Sequence, residues 1–187
     1  MSSEKLNARE AAGAALTRHG EVSEALVPVG LFHAELIRDG KVIWTDTWNN
    51  LVTTQGKNAM LDKFLGLQAA YAAISIGLHT TVGDANSTYA APSPQVESVV
   101  YSNATRGVPA FSAAAAGAKA TSAAVAFTIN GGATLAGAFC AIGAAGVTTK
   151  SDTAAASSVL LSSGAFSGGA RAVISGDTLN VTYSLAL

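Results

Sequence analysis

The pair Asp39-Gly40 constrains this chain more than any other feature. It stands between two β-prone runs, Gly30-Leu-Phe-His-Ala-Glu-Leu-Ile and Val42-Ile-Trp-Thr-Asp-Thr-Trp. A tight type I′ turn needs positive φ at both central residues, and Asp-Gly tolerates it with little strain. The spacing predicts a β-hairpin over residues 30–48. Phe32, Ala34 and Leu36 then share one face of the first strand. Trp44 and Trp48 share a face of the second, with Asp46 between them at a position suited to an edge. The chain closes on the same period of two. Leu179, Val181, Tyr183 and Leu185 alternate with Asn180, Thr182 and Ser184, which predicts a half-buried final strand.

Between these ends the pattern stays β. Tyr71–Leu78 reads as a strand buried on both faces. Val125, Phe127 and Ile129 alternate, Asn130-Gly131-Gly132 makes a turn, and a single strand is expected from Thr134 through Phe139 to Ile142. Val159–Leu161 with Ala165-Phe166, and Ala172–Ile174, add further short strands. Residues 80–95, with Pro92 and Pro94, read as a polar loop, as do residues 143–158. The low-complexity stretch from Ser112 reads as a loop that leads into the strand at Val125. Many short strands with frequent turns predict a mainly β chain with a β-sandwich or jelly-roll-like body.

Two helices are expected. One covers residues 53–66, capped by Thr53 or Thr54, with Met60, Leu61, Phe64 and Leu65 as its apolar stripe and Gly66 as its end. The other covers residues 3–18, with Ser2 or Ser3 as cap and Glu4 in the first turn. Its large apolar residues are Leu6 and Leu16, too few to bury much alone. Residues 20–29 read as a linker ending near Pro28. The division is therefore an N-terminal helical arm, residues 1–28, and a body, residues 29–187. Leu6 and Leu16, with Arg9 and Arg18 beside them, are the candidate partner-binding residues of the arm.

Charge follows the same division. Residues 1–63 hold seven Lys/Arg and eight Asp/Glu, whereas residues 64–187 hold four of each. Charged residues are 12% of the chain, about half the usual share. A net charge of −1 without a basic stripe predicts no nucleic-acid partner. Small uncharged side chains lose little entropy or hydration when a second subunit covers them, so the body reads as a surface made for packing. No window resembles a signal peptide's apolar stretch or a membrane span, and no membrane partner is expected. One cysteine, Cys140, allows no intrachain disulfide, and assembly in the cytosol is expected.

A survey for chemistry predicts no catalytic, cofactor or metal site. His19, His33 and His79 lack ligand spacing, and His33 falls in a strand as a structural or surface residue. Cys140, in Ala138-Phe139-Cys140-Ala141, reads as a buried inert thiol. Gly164-Ala165-Phe166-Ser167-Gly168-Gly169 lacks the Gly-Lys-Ser/Thr ending of a phosphate loop, and no helix follows it. Asp152 and Asp177 read as isolated acids. Trp44 and Trp48 read as core rather than as a sugar platform.

Longer blocks carry a resemblance. Gly30-Leu-Phe-His-Ala-Glu, followed by Trp48-Asn-Asn-Leu-Val-Thr-Thr-Gln-Gly-Lys-Asn-Ala-Met-Leu-Asp, resembles small virion structural proteins of tailed bacteriophages, especially short-tailed ones. The order Arg106-Gly-Val-Pro-Ala-Phe, Ala-Phe-Thr-Ile, Leu-Ala-Gly-Ala-Phe and the closing Gly176-Asp-Thr-Leu-Asn-Val-Thr-Tyr-Ser-Leu are similar too. The likeness covers residues 29–187. It implies a non-enzymatic capsid decoration (cement) protein that binds and stabilises adjacent major capsid subunits. It also implies association with copies of itself, as a dimer or trimer, and a place in the virion after assembly in the bacterial cytoplasm. The alternative it implies is a tail or tail-fibre component, whose loops at 80–95 and 143–158 face a host receptor.

Overall fold

The computed structural model describes residues 28–66, 71–155 and 157–187. The hairpin forms as expected from β1 (Val29–Arg38) and β2 (Lys41–Val52). It turns at Asp39 and Gly40, with φ of 51° and 73°. Phe32, Ala34, Leu36 and Trp48 face inward and are buried.

The final strand, β11 (Thr178–Ala186), pairs with β1 from Val29↔Ala186 to Ile37↔Thr178. Beyond it lie two short strands that both pair with β11, β5 (Ala118–Ala120) and β6 (Val125–Thr128). The other half of the body is built from β3 (Ala73–Thr81), β4 (Val96–Ser98), β8 (Gly137–Gly143) and β9 (Val159–Ala165). The strand order is β4-β3-β8-β9-β2-β1-β11-β5. Every ladder in it is antiparallel.

β2 is the corner of this sheet. Its residues up to Asn50 pair with β1, and Leu51 and Val52 pair with β9. The sheet folds over at that point and encloses one core between its halves. Phe32, Leu36, Phe127, Leu179, Val181 and Tyr183 come from one half, and Ile76, Leu78, Ala138, Cys140 and Leu161 from the other. The protein is thus mainly β with a sandwich-like body, as its alternating pattern requires. A second, smaller core lies on the far side of β8 and β9, where Phe139, Ala141 and Leu160 meet Tyr89 and Val147. The expectation that the strand after Tyr71 is buried on both faces holds for Ser75–His79.

Three expectations need correction. The strand expected over Thr134–Ile142 is two strands. β7 (Ala133–Leu135) pairs with β10 (Arg171–Val173), whereas β8 joins the main sheet. Ala136 breaks the run because its amide donates to the His79 carbonyl and its carbonyl accepts from Phe166. The apolar spacing continues across the break, so periodicity alone does not show it. The loop expected from Ser112 contains β5, whose Ala-Lys-Ala sequence carries no β signal and is held by its partner β11.

The third correction concerns the helix, α1 (Thr54–Phe64). Its cap is Thr53, whose hydroxyl accepts from the Gly56 amide at 2.9 Å. The expected stripe is not its buried face: Leu61, Phe64 and Leu65 are 60%, 72% and 75% exposed. The buried residues are Gly56 and Ala59. A Cβ on Gly56 would fall 2.3 Å from the Leu161 carbonyl oxygen, so glycine permits the backbone of α1 to lie directly on β9. That close approach fixes the helix rotation and turns the larger side chains outward.

Candidate assembly surface

The charged residues of the body are mostly consumed in holding it together. Arg106 is 3% exposed and directs its five N–H donors to five acceptors. Nε and Nη2 donate to the Glu97 carboxylate at 2.9 and 2.6 Å. Nη1 donates to Tyr89 Oη and to the Val147 carbonyl, and Nη2 also donates to the Asp152 carbonyl. The guanidinium lies over the rings of Tyr89 and Phe139, 5.5 and 5.3 Å from their centroids. Burial opposes its charge, and the Glu97 carboxylate more than offsets that. A cavity of about 270 Å³ opens beside this knot. With its donors occupied, Arg106 has none to offer a ligand there. Its work is to pin the 82–95 loop, β4 and the 145–155 segment onto β8.

The other candidate groups are similarly engaged. Asp177, read from sequence as isolated, accepts from Arg38 Nε and Nη2 at 2.7 and 2.8 Å, and from the Ile174 amide. Arg38 holds its carboxyl below the usual carboxylate range. Asp152 is joined to the body through its carbonyl. Asp46 accepts from the amide and hydroxyl of Ser167, so the Ser167-Gly168-Gly169 turn covers the side of β2 that lacks a strand partner. Trp48 is buried and stacks on Phe32 at 5.5 Å. Trp44 packs its edge on Phe166, with the Arg171 guanidinium 4.9 Å from its ring centroid.

Neither His79 nor Cys140 faces solvent. His79 sits in β3 with Nε2 3.1 Å from the Gly164 carbonyl. Burial pushes its pKa down to about 4, with the Gly164 carbonyl and the Gln95 side chain pulling the other way. Its ring is neutral at neutral pH. Burial pushes the Cys140 thiol far up, so it is not a thiolate nucleophile. His33, in β1, bonds Thr47 at 2.8 Å on the outer surface. Among the described residues, no three His, Cys, Asp or Glu side chains cluster as a metal site.

The open sheet surface that remains carries little charge. The outer face of β1, β2, β6 and β11 presents Leu31, His33 and Glu35, then Thr45, Thr47, Asn49 and Leu51, then Ala126, Thr128, Asn180, Thr182 and Ser184. His33 and Glu35 are the titratable groups among them. Threonine and asparagine on an open antiparallel face are ordinary. Exposure of Val29 at 51%, Ile43 at 49% and Leu51 at 43% around them is less so, and suits a face that another subunit covers. Among the described residues, a second apolar area without a cover is the outward side of α1.

The arm residues Leu6, Leu16, Arg9 and Arg18 lie outside the described residues. Sequence reasoning missed the Arg106 knot. Its signal was weak: a lone arginine in a charge-poor body, with Glu97 nine residues earlier. No protein family, curated protein or solved structure matches this chain.

Proposed function

We propose that this chain is a structural subunit of an assembled particle, a decoration protein on the capsid of a short-tailed bacteriophage. It would act without catalysis, by lying across adjacent major capsid subunits and fastening them with its N-terminal arm. The observation that carries this reading is the charge-poor outer face of β1, β2, β6 and β11, where Glu35 is the one carboxylate, with leucine, isoleucine and valine exposed around it. The likeness of residues 29–187 to phage structural proteins supplies the kind of partner. A charge-poor, small-residue face can be covered while stranding few charges, and an interface of that kind discriminates by shape more than by ion pairs.

The test is to incubate the full chain and variants with empty capsid shells and measure occupancy. Deletion of residues 1–28 should reduce occupancy, and Leu31→Glu with Thr47→Lys should abolish it. Unchanged occupancy in the deletion would remove the arm from the account; unchanged occupancy in the face variant would remove the face. Imaging of labelled particles separates the head from the tail reading. Label spread over the capsid lattice supports decoration, and label confined to one vertex would make this a tail component.

A further inference from the structure

The turn Asn130-Gly131-Gly132 is the one place in the chain where asparagine precedes glycine. That order invites attack within the chain, because glycine has no Cβ to keep its amide nitrogen away from the asparagine carboxamide. The structure leaves the pair open. The pairing of β6 ends at Ile129, whose amide donates to the Asp177 carbonyl and whose carbonyl accepts from the Gly176 amide. Pairing resumes at Ala133, in β7. No described carbonyl accepts from the Gly131 amide. Asn130 is exposed, and a Cβ on Gly132 would meet nothing within 4 Å.

The other described asparagines are held. Asn86 precedes Ser87, whose amide donates to the Asp84 carboxylate at 2.9 Å and to the Asp84 carbonyl. Asn103 is fixed at both ends of its carboxamide. Its Nδ2 donates to the Ala126 carbonyl and its Oδ1 accepts from the Thr128 amide, each at 3.0 Å. Asn49, Asn50 and Asn180 lie in the paired strands β2 and β11, and Asn58 lies in α1. There the next amide cannot swing onto the side chain unless a ladder or a helical turn opens first.

We infer that Asn130 is a site of spontaneous deamidation in the folded protein, with water as the only co-reactant. The Gly131 nitrogen gives up its proton and bonds to Asn130 Cγ. The Cγ–Nδ2 bond breaks, and Nδ2 leaves with that proton as ammonia. The result is a five-membered succinimide. Water then adds at one of the two ring carbonyls. Addition at Cγ cuts the new Cγ–N bond and leaves aspartate; addition at the Asn130 carbonyl carbon cuts the former peptide bond and leaves isoaspartate. Either product carries a carboxylate that the newly made chain lacks. Asn130 continues the exposed row of Ala126 and Thr128 on β6, so this charge arises at the margin of the charge-poor face. The inference goes beyond the assembly reading and holds whether or not that face meets a shell.

The test is to age the full-length chain, warm and at neutral pH, beside a synthetic peptide of residues 126–134. Peptide mapping by mass spectrometry follows both, with electron-transfer fragmentation to tell aspartate from isoaspartate. Asn130 should convert before any other described asparagine, at a rate within about tenfold of the peptide's, because no ladder has to open first. Asn130→Gln should remove the first acidic species from the ion-exchange profile of the aged protein. A rate slower than that range overturns the proposal, as does earlier conversion at Asn86 or Asn103. So does a first acidic species that forms equally fast in Asn130→Gln. Should that variant fail to fold, the comparison of the wild type with the peptide decides alone.

Discussion

Acidification should destabilise this fold through His79. The ring is inaccessible in β3, and burial lowers its pKa from 6.5 to about 4. Unfolding returns it to water and to its ordinary pKa. Between those two values the unfolded chain therefore binds a proton that the folded chain refuses. Stability from this group is fully present above the unfolded pKa of 6.5 and is lost as pH falls toward about 4. One pKa unit corresponds to about 1.4 kcal/mol, so the full effect is roughly 3 kcal/mol, of which about 2 kcal/mol is gone by pH 5. The measurement is urea unfolding between about pH 7.5 and 4.5, for the wild type and for His79→Gln. Carboxylates titrate in both proteins and subtract out. The difference between the two should slope through this window. A flat difference, or a ring that titrates near 6.5 in the folded protein by NMR, would refute the reasoning.

Other perturbations give separate tests. Arg106→Met leaves Glu97, largely but not fully covered, without its partner and should cost about 3–5 kcal/mol in denaturant unfolding, whereas adding Glu97→Gln should restore much of the loss. A smaller recovery than about 1 kcal/mol would show that the knot acts through packing rather than charge. Gly56→Ala should cost about 1–3 kcal/mol because the methyl meets the Leu161 carbonyl. A stability unchanged by calorimetry would mean that α1 shifts freely on β9. Leu31→Glu, on the open face, should change stability by no more than about 0.5 kcal/mol, so that any loss of binding it causes is read as loss of contact.

Much of the fold was legible because it is written in short-range pattern. Asp39-Gly40 marks its turn by the φ values it must adopt, and Leu179 to Leu185 mark a buried face by their period. Thr53 and Thr54 mark the start of α1 as two possible caps, and the Gly56 amide selects Thr53 between them. What was illegible depends on partners distant in sequence. β5 is alanine and lysine, and exists because β11 runs alongside it. The orientation of α1 depends on a glycine meeting a carbonyl of β9, so the large apolar residues that sequence assigns to the core stand outside it. Arg106 gathers acceptors from segments up to 46 residues away, and no spacing encodes that. The candidate surface was visible as a shortage of charge, but which face is bare became visible only once each charge had found its place.

The position of β1 has a mechanical consequence. It is the strand that continues into the arm, and it lies between β11 and β2 with nine paired positions on each side. A pull on the arm along the strand axis loads both ladders in shear. Their hydrogen bonds run across the strands, so they must yield together rather than one at a time. A tension that would unzip an edge strand pair by pair is here shared across the width of the sheet. A chain tethered through its N-terminal segment to a surface under outward pressure would be held by a strand paired along both of its sides.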